Sequence, residues 1–415
     1  HSITMDNIKA DAIYVLPNVS LTLTDCKGEK GEYGQITHTI TQQGTHYQGG
    51  GVMVKGGTFY MFGGKITKNK TNSEMCGGGV MVNGGKFNMY GGEITNNEAY
   101  MGGGVMVSDS TNAASGKFNM YGGEIKDNTA NYNKGDELGG GGGVAVDAGT
   151  FTMSGSAKIT GNHAQCGGGV YEGASGAFTM NSGAIIAKNE ASGKGGGVYM
   201  GAYGVKYKFQ MNGGEIANNK AAEGGGVYAN LNSGFTMSGS AKITGNHAEN
   251  GGGVYVYVAG RFKMNGGEIT GNTAEEKGGG VLVYPDDDGG PFTVSGSVTV
   301  KENTKNRTAN NVYLVSAKNP IIIGEDGLTD GASIGVTTEN KPTEGAITIA
   351  TSAKRGDEER FVSDEAYQIT YDDSGKVVLK ASTPTPTPTG HTHCLCGETH
   401  KLIGDHKTEA QITFT

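Results

Sequence analysis

Residues 224–246 read GGGVYANLNSGFTMSGSAKITGN, and the parsing of that stretch decides the fold. It holds three short apolar–polar alternations, Val227-Tyr228-Ala229, Phe235-Thr236-Met237 and Lys242-Ile243-Thr244. Alternation of period two is the mark of a strand with one buried face. Between the alternations stand Gly, Asn and Ser, and Gly and Asn supply the positive φ that sharp corners demand. Nothing between them is long enough for a crossover helix, so an ordinary βαβ sheet is excluded.

The same phrase recurs nine times between Gly49 and Asn303, with a period of about 27 residues. Its glycine triplets precede valines from Val52 to Val281, its Phe column runs from Phe59 to Phe292, and its Ile column from Ile66 to Val300. Asparagine follows three positions after each Ile, from Asn69 to Asn303. Stacking one copy on the next pairs like strands in parallel and piles identical side chains about 4.8 Å apart. Stacked asparagine amides then bond along the column. The expectation is an all-β chain, a right-handed parallel β-helix of three sheets, with a small C-terminal β cap and a Cys/His-rich tail. A β-propeller is excluded because its blades need about 40–50 residues and four strands each. Glycine is 76 of 415 residues, but its fixed phase against Phe and Ile marks corners, not disorder.

The expected organisation is a leading segment over 1–48, the coil over 49–310, a closing β segment over 311–382, a spacer over 383–390 and a tail over 391–415. The spacer, Thr-Pro-Thr-Pro-Thr-Pro-Thr-Gly, is an extended chain of the kind found in extracellular stalks. Net charge is −8 with mixed signs, which gives no electrostatic footprint for nucleic acid or anionic membrane. No stretch of about 18 apolar residues exists to cross a bilayer. The chain opens on His1-Ser2-Ile3 and reads as an excised fragment. Cys76 and Cys166 hold the same phase three copies apart, roughly 14 Å, which is beyond disulfide reach.

The glycine-triplet and Phe repeats resemble those of polymorphic outer-membrane and autotransporter adhesins, members of the pectin-lyase-like β-helix class. Gly replaces the Ala of that family's pattern, and Asn follows Ile instead of Phe. Asn311-Val312-Tyr313-Leu314, Gly331 to Val336, and the tail from His391 to Gly397 are similar to segments of large surface proteins from Gram-positive anaerobes. The resemblance implies a bacterial, extracellular or cell-surface location. It is nearly silent on activity, because this architecture also carries lyases, hydrolases and phage tailspikes.

Four features carry candidate chemistry. If the valines of the first strand face inward, the residue between them faces outward, giving a stripe of Met53, Met81, Met106, Ala145, Tyr171, Tyr199, Tyr228, Tyr255 and Leu282. Tyr171, Tyr199, Tyr228 and Tyr255 are then candidates to stack on sugar rings or anchor a protein partner; a purely structural ladder is the alternative. The column before each Ile alternates in sign except where Glu93 meets Glu124, roughly 5 Å apart, the spacing of a retaining glycosidase pair. Any acidic column on a β-helix also produces that spacing. Insertions carry Asp136 and Glu137, Tyr203 and Tyr207, and Asp286, Asp287 and Asp288, the last a calcium candidate that lacks the spaced ligands of an EF-hand loop. His163 and His247 recur in Gly-Asn-His-Ala turns. In the tail, His393, Cys394, Cys396 and His400 have the density of a structural zinc site; a strained disulfide or an unstructured tail are the alternatives.

The function expected is therefore a non-catalytic adhesin or display stalk that binds glycan or a host surface protein. A carbohydrate-active lyase or hydrolase with a cleft on one sheet is the alternative.

Overall fold

A computed structural model describes residues 3–6, 13–24, 34–39, 50–71, 76–109, 116–131, 139–201, 208–284, 292–342 and 345–382. Each copy of the repeat makes one turn of a parallel β-solenoid of about ten turns. The equivalent letters stack: Val198 pairs with Val227 and Val227 with Val254, Phe209 with Phe235, and Ile216 with Ile243. The leading segment supplies a turn of its own, with Ile13–Val15, Ser20–Leu23 and Gln35–Thr39 in register below Val52–Lys55, Thr58–Met61 and Lys65–Thr67. The far end is capped by Ile347–Thr351, Lys376–Lys380 and Gln368–Asp372, which pair antiparallel.

The inward residues of the Val, Phe and Ile strands form one continuous buried core. The Phe rings from Phe59 to Phe292 stack with centroids 4.2–5.7 Å apart. Beside them runs a buried amide ladder from Asn69 to Asn311. Each Nδ2 donates to the Oδ1 of the next asparagine at 2.8–3.0 Å. The same Oδ1 accepts the backbone N–H of the asparagine before it, as at Asn189 and Asn219, 2.9 Å. The second Nδ2 hydrogen goes to an Ile carbonyl one turn back, as from Asn219 to Ile186 at 3.0 Å. Thus every asparagine between the ends of the column is satisfied without water, as burial requires. At the top, Asp364 ends the ladder by accepting from the backbone N–H of Asn311 at 2.7 Å and its Nδ2 at 2.6 Å.

The glycine triplets are set by contact as much as by turn geometry. Gly224 sits at φ +66° with its missing Cβ only 2.8 Å from the Cβ of Tyr228. A Cβ on Gly225 would meet the carbonyl of Gly252 at 2.5 Å, and one on Gly226 the carbonyl of Gly253 at 2.5 Å and Ile243 Cγ2 at 2.9 Å. Alanine has no room in this triplet.

One element goes beyond the three-strand reading. After each ladder asparagine from Asn97 to Asn303 a short strand, such as His163–Cys166, Glu190–Lys194 and Lys220–Glu223, joins a separate nine-stranded sheet. Its only apolar signal is one alanine per turn, for example Ala191, Ala221 and Ala248, too little to announce a strand. His163 and His247 belong to this strand, not to turns, and reach Glu190 at 3.7 Å and Glu275 at 3.3 Å.

Candidate binding face

The tyrosine stripe is not on a solvent face. Tyr171, Tyr199, Tyr228 and Tyr255 stack as expected, with centroids 5.1–5.6 Å apart, but each keeps 4 % exposure or less. Together with Met53, Met81, Met106 and Leu282 they form a second apolar cluster outside the main core. The physical reason is the chain path. The fourth strand and the first glycine of each triplet fold back over the outer side of the Val strand, bringing Cys166 against the stripe and Lys194 Nζ 5.3 Å above the Tyr228 ring, while Tyr257, just after the Val strand, packs against it as well. Asn230 Nδ2 donates to the Tyr199 hydroxyl at 2.8 Å, and burial pushes the Tyr228 and Tyr255 hydroxyls far above the ordinary tyrosine range. These four tyrosines do point away from the main core, as expected, but not into solvent, so the solvent-face reading is corrected: the stripe packs as a buried ladder.

A different aromatic row is exposed. The residue after each Met of the Phe strand turns outward at the corner, and in successive turns it is Phe62, Tyr90 and Tyr121. They are 52 %, 44 % and 42 % exposed, and they stack with centroids 4.8 and 4.9 Å apart. The adjoining positions of the column, Thr24 below and Ser154 above, are small, so the outer ring faces are not capped by further aromatics. Sequence reasoning passed over this row because only three copies carry it. The signal was present: aromatics at one phase, each just ahead of the positive-φ glycines Gly64, Gly92 and Gly123.

Those glycines floor an open groove of about 420 Å³ that Phe62 flanks at one end. The other wall is the column Lys65, Glu93, Glu124 and Lys158. Glu93 and Glu124 are neighbours in register, as expected. Both are held by lysine: Lys126 Nζ lies 3.3 Å from Glu93 and 3.6 Å from Glu124, and Lys65 Nζ lies 3.2 Å from Glu93. Partial burial raises the Glu93 pKa, but the hydrogen bonds and charges of Lys65 and Lys126 outweigh it and hold the carboxyl below its ordinary value. Thr160 also donates to Glu124 at 2.7 Å. A glycosidase pair needs one carboxyl kept protonated as the acid. At Glu93, Lys65 and Lys126 work against that.

Cys76 and Cys166 remain thiols, and Cys76 to Met101 and Gly140 to Cys166 are bridged in the same column. Among the described residues no helix is long and apolar enough to cross a membrane, and no group of His, Cys, Asp and Glu is placed to hold a metal. His393, Cys394, Cys396 and His400, the Thr-Pro spacer, Asp136, Glu137, Tyr203, Tyr207 and Asp286–Asp288 lie outside the described residues.

No protein-family model, curated protein or solved structure matches the chain.

Proposed function

We propose that the protein is a non-catalytic β-solenoid displayed on a bacterial cell surface, an adhesin or stalk that holds glycan at the Phe62–Tyr90–Tyr121 corner. The observation that carries this reading is the exposure of three stacked rings in one row, the first of which, Phe62, borders an open groove. A sheet corner gains nothing from leaving large apolar rings in water, whereas sugars present C–H faces that dock on aromatic edges and faces. The repeat scaffold and the Thr-Pro run support a surface role of the kind seen in polymorphic outer-membrane-like adhesins and Gram-positive surface proteins. The lysine clamp on Glu93 and Glu124 weighs against the enzyme alternative.

The test is a glycan array probed with the full chain and with Tyr90→Ala/Tyr121→Ala. Loss of about tenfold or more in affinity is expected for the variant. Tyr199→Ala, in the buried ladder, is the specificity control: its effect belongs to stability alone. Undiminished binding by Tyr90→Ala/Tyr121→Ala would sink the assignment.

A further inference from the structure

Charge columns on this solenoid mostly alternate, and besides the lysine-held Glu93–Glu124 pair a second like-charge pair lies beside the aromatic row. On the outer face of the Phe strands, Lys86 and Lys117 are direct partners in register. The buried rings next to them in the same two strands, Phe87 and Phe118, are 4.7 Å apart, which sets how closely the lysine stems are held. Like charges directly opposite in a parallel pair repel. Their column neighbours are Thr58 below and Thr150 above, which carry no charge to relieve them. Both lysines are exposed, and no carboxylate among the described residues forms an ion pair with either. Elsewhere on the solenoid neighbouring charges of opposite sign do meet, as Lys242 and Glu268 at 3.0 Å.

The same strands carry polar and aromatic groups in line with the lysines. Asn88 and Asn119 follow two positions on, with Asn119 Nδ2 donating to Asn88 Oδ1 at 2.9 Å, and then come Tyr90 and Tyr121. Around the corner, Glu93 is neutralised by Lys65 and Lys126, so it does not repel an anion from the face. One short face thus presents two cations with no ion-pair partner among the described residues, the part-buried amide of Asn119 and exposed rings in register.

Building on the glycan reading above, we infer that the ligand is an acidic glycan, with a carboxylate or sulfate bridging Lys86 and Lys117 and its sugar rings against Tyr90 and Tyr121. The bridging anion removes the lysine–lysine repulsion, so part of the binding free energy is relief of a repulsion present in the free protein. A nucleic acid fits less well. It needs a continuous basic track, and the chain as a whole carries −8.

The experiment measures binding of the full chain to hyaluronate, to chondroitin sulfate, to the neutral chain dextran and to a single-stranded DNA oligonucleotide, at low and high salt. Wild type is expected to favour the acidic glycans by about tenfold or more, with the preference fading as salt rises. Lys86→Gln/Lys117→Gln brings acidic binding down to the neutral level. Lys117→Glu abolishes it while raising Tm of the unliganded protein, a readout that mere unfolding would move the other way. Equal binding of acidic and neutral chains, or an acid preference that survives Lys86→Gln/Lys117→Gln, overturns the inference and leaves the aromatic site standing. Acid preference that depends on the lysines but not on Tyr90 and Tyr121 overturns the aromatic site instead. Binding of the oligonucleotide as tight as that of the glycans overturns the ligand class, and binding of no glycan overturns both readings.

Discussion

Glu172 offers the sharpest test of how this solenoid is held together. It sits in the inward column of the Val strand, in register between Val146 and Met200, where every other turn has an apolar residue. It is fully buried, and neither carboxylate oxygen has a hydrogen-bond partner among the described residues. Burial pushes its pKa from 4.5 up to about 8, against the weaker pull of Lys208. The folded state therefore keeps a proton that the unfolded chain gives up above its ordinary pKa. Stability contributed by this group is full below about pH 4.5 and is lost as pH rises toward about 8. With roughly 1.4 kcal/mol per pH unit, the loss is about 3 kcal/mol at pH 7 and approaches about 5 kcal/mol above pH 8. Glu172→Gln keeps the shape and cannot ionise. Denaturant melts of both proteins at about pH 5 and about pH 9, read together with hydrogen exchange in peptides spanning Val144–Met200, check the claim; the second readout matters because a solenoid can open turn by turn. The Gln variant should match wild type in acid and exceed it by several kcal/mol in base. Parallel pH profiles for the two proteins would refute the buried, unpaired placement of this carboxyl.

Other expectations follow from the ladder and the corners. Asn219→Ala leaves the backbone N–H and Nδ2 of Asn189 without their acceptor and should cost about 3 kcal/mol or more, read by chemical denaturation. Asp364→Ala removes the acceptor that ends the amide ladder and should cost about 2–3 kcal/mol, with faster exchange confined to the turns near Asn303 and Asn311. Gly226→Ala drives a Cβ to within 2.5 Å of the Gly253 carbonyl and should lower stability by at least about 1–3 kcal/mol, whereas Ser154→Ala on the exposed corner should change it little. Burial raises the Cys76 thiol to about 11, so site-resolved alkylation at about pH 8 should leave Cys76 largely unmodified in the folded protein; rapid labelling there would contradict the packing.

Periodicity alone was enough for the coil, the Phe and Asn columns and the Glu93–Glu124 juxtaposition, because each depends only on equivalent residues meeting one turn apart. A repeat of this kind has one degree of freedom, the register, and Phe87, Phe118 and Phe151 could meet in only one way. Which outward residues stay wet was not a matter of register. Tyr199 and Tyr121 both point away from the core, yet Tyr199 is fully buried and Tyr121 is 42 % exposed. The difference lies in the path of the neighbouring chain: the short Ala-bearing strand and its glycine return over the Val strand, and no described residue returns over the Met–Tyr corner. Period-two patterning tells in from out on one strand, but it carries no information about a second layer laid outside it. Only the tertiary structure decides that, since the covering strand is recruited by backbone hydrogen bonds between turns and not by an apolar stripe of its own.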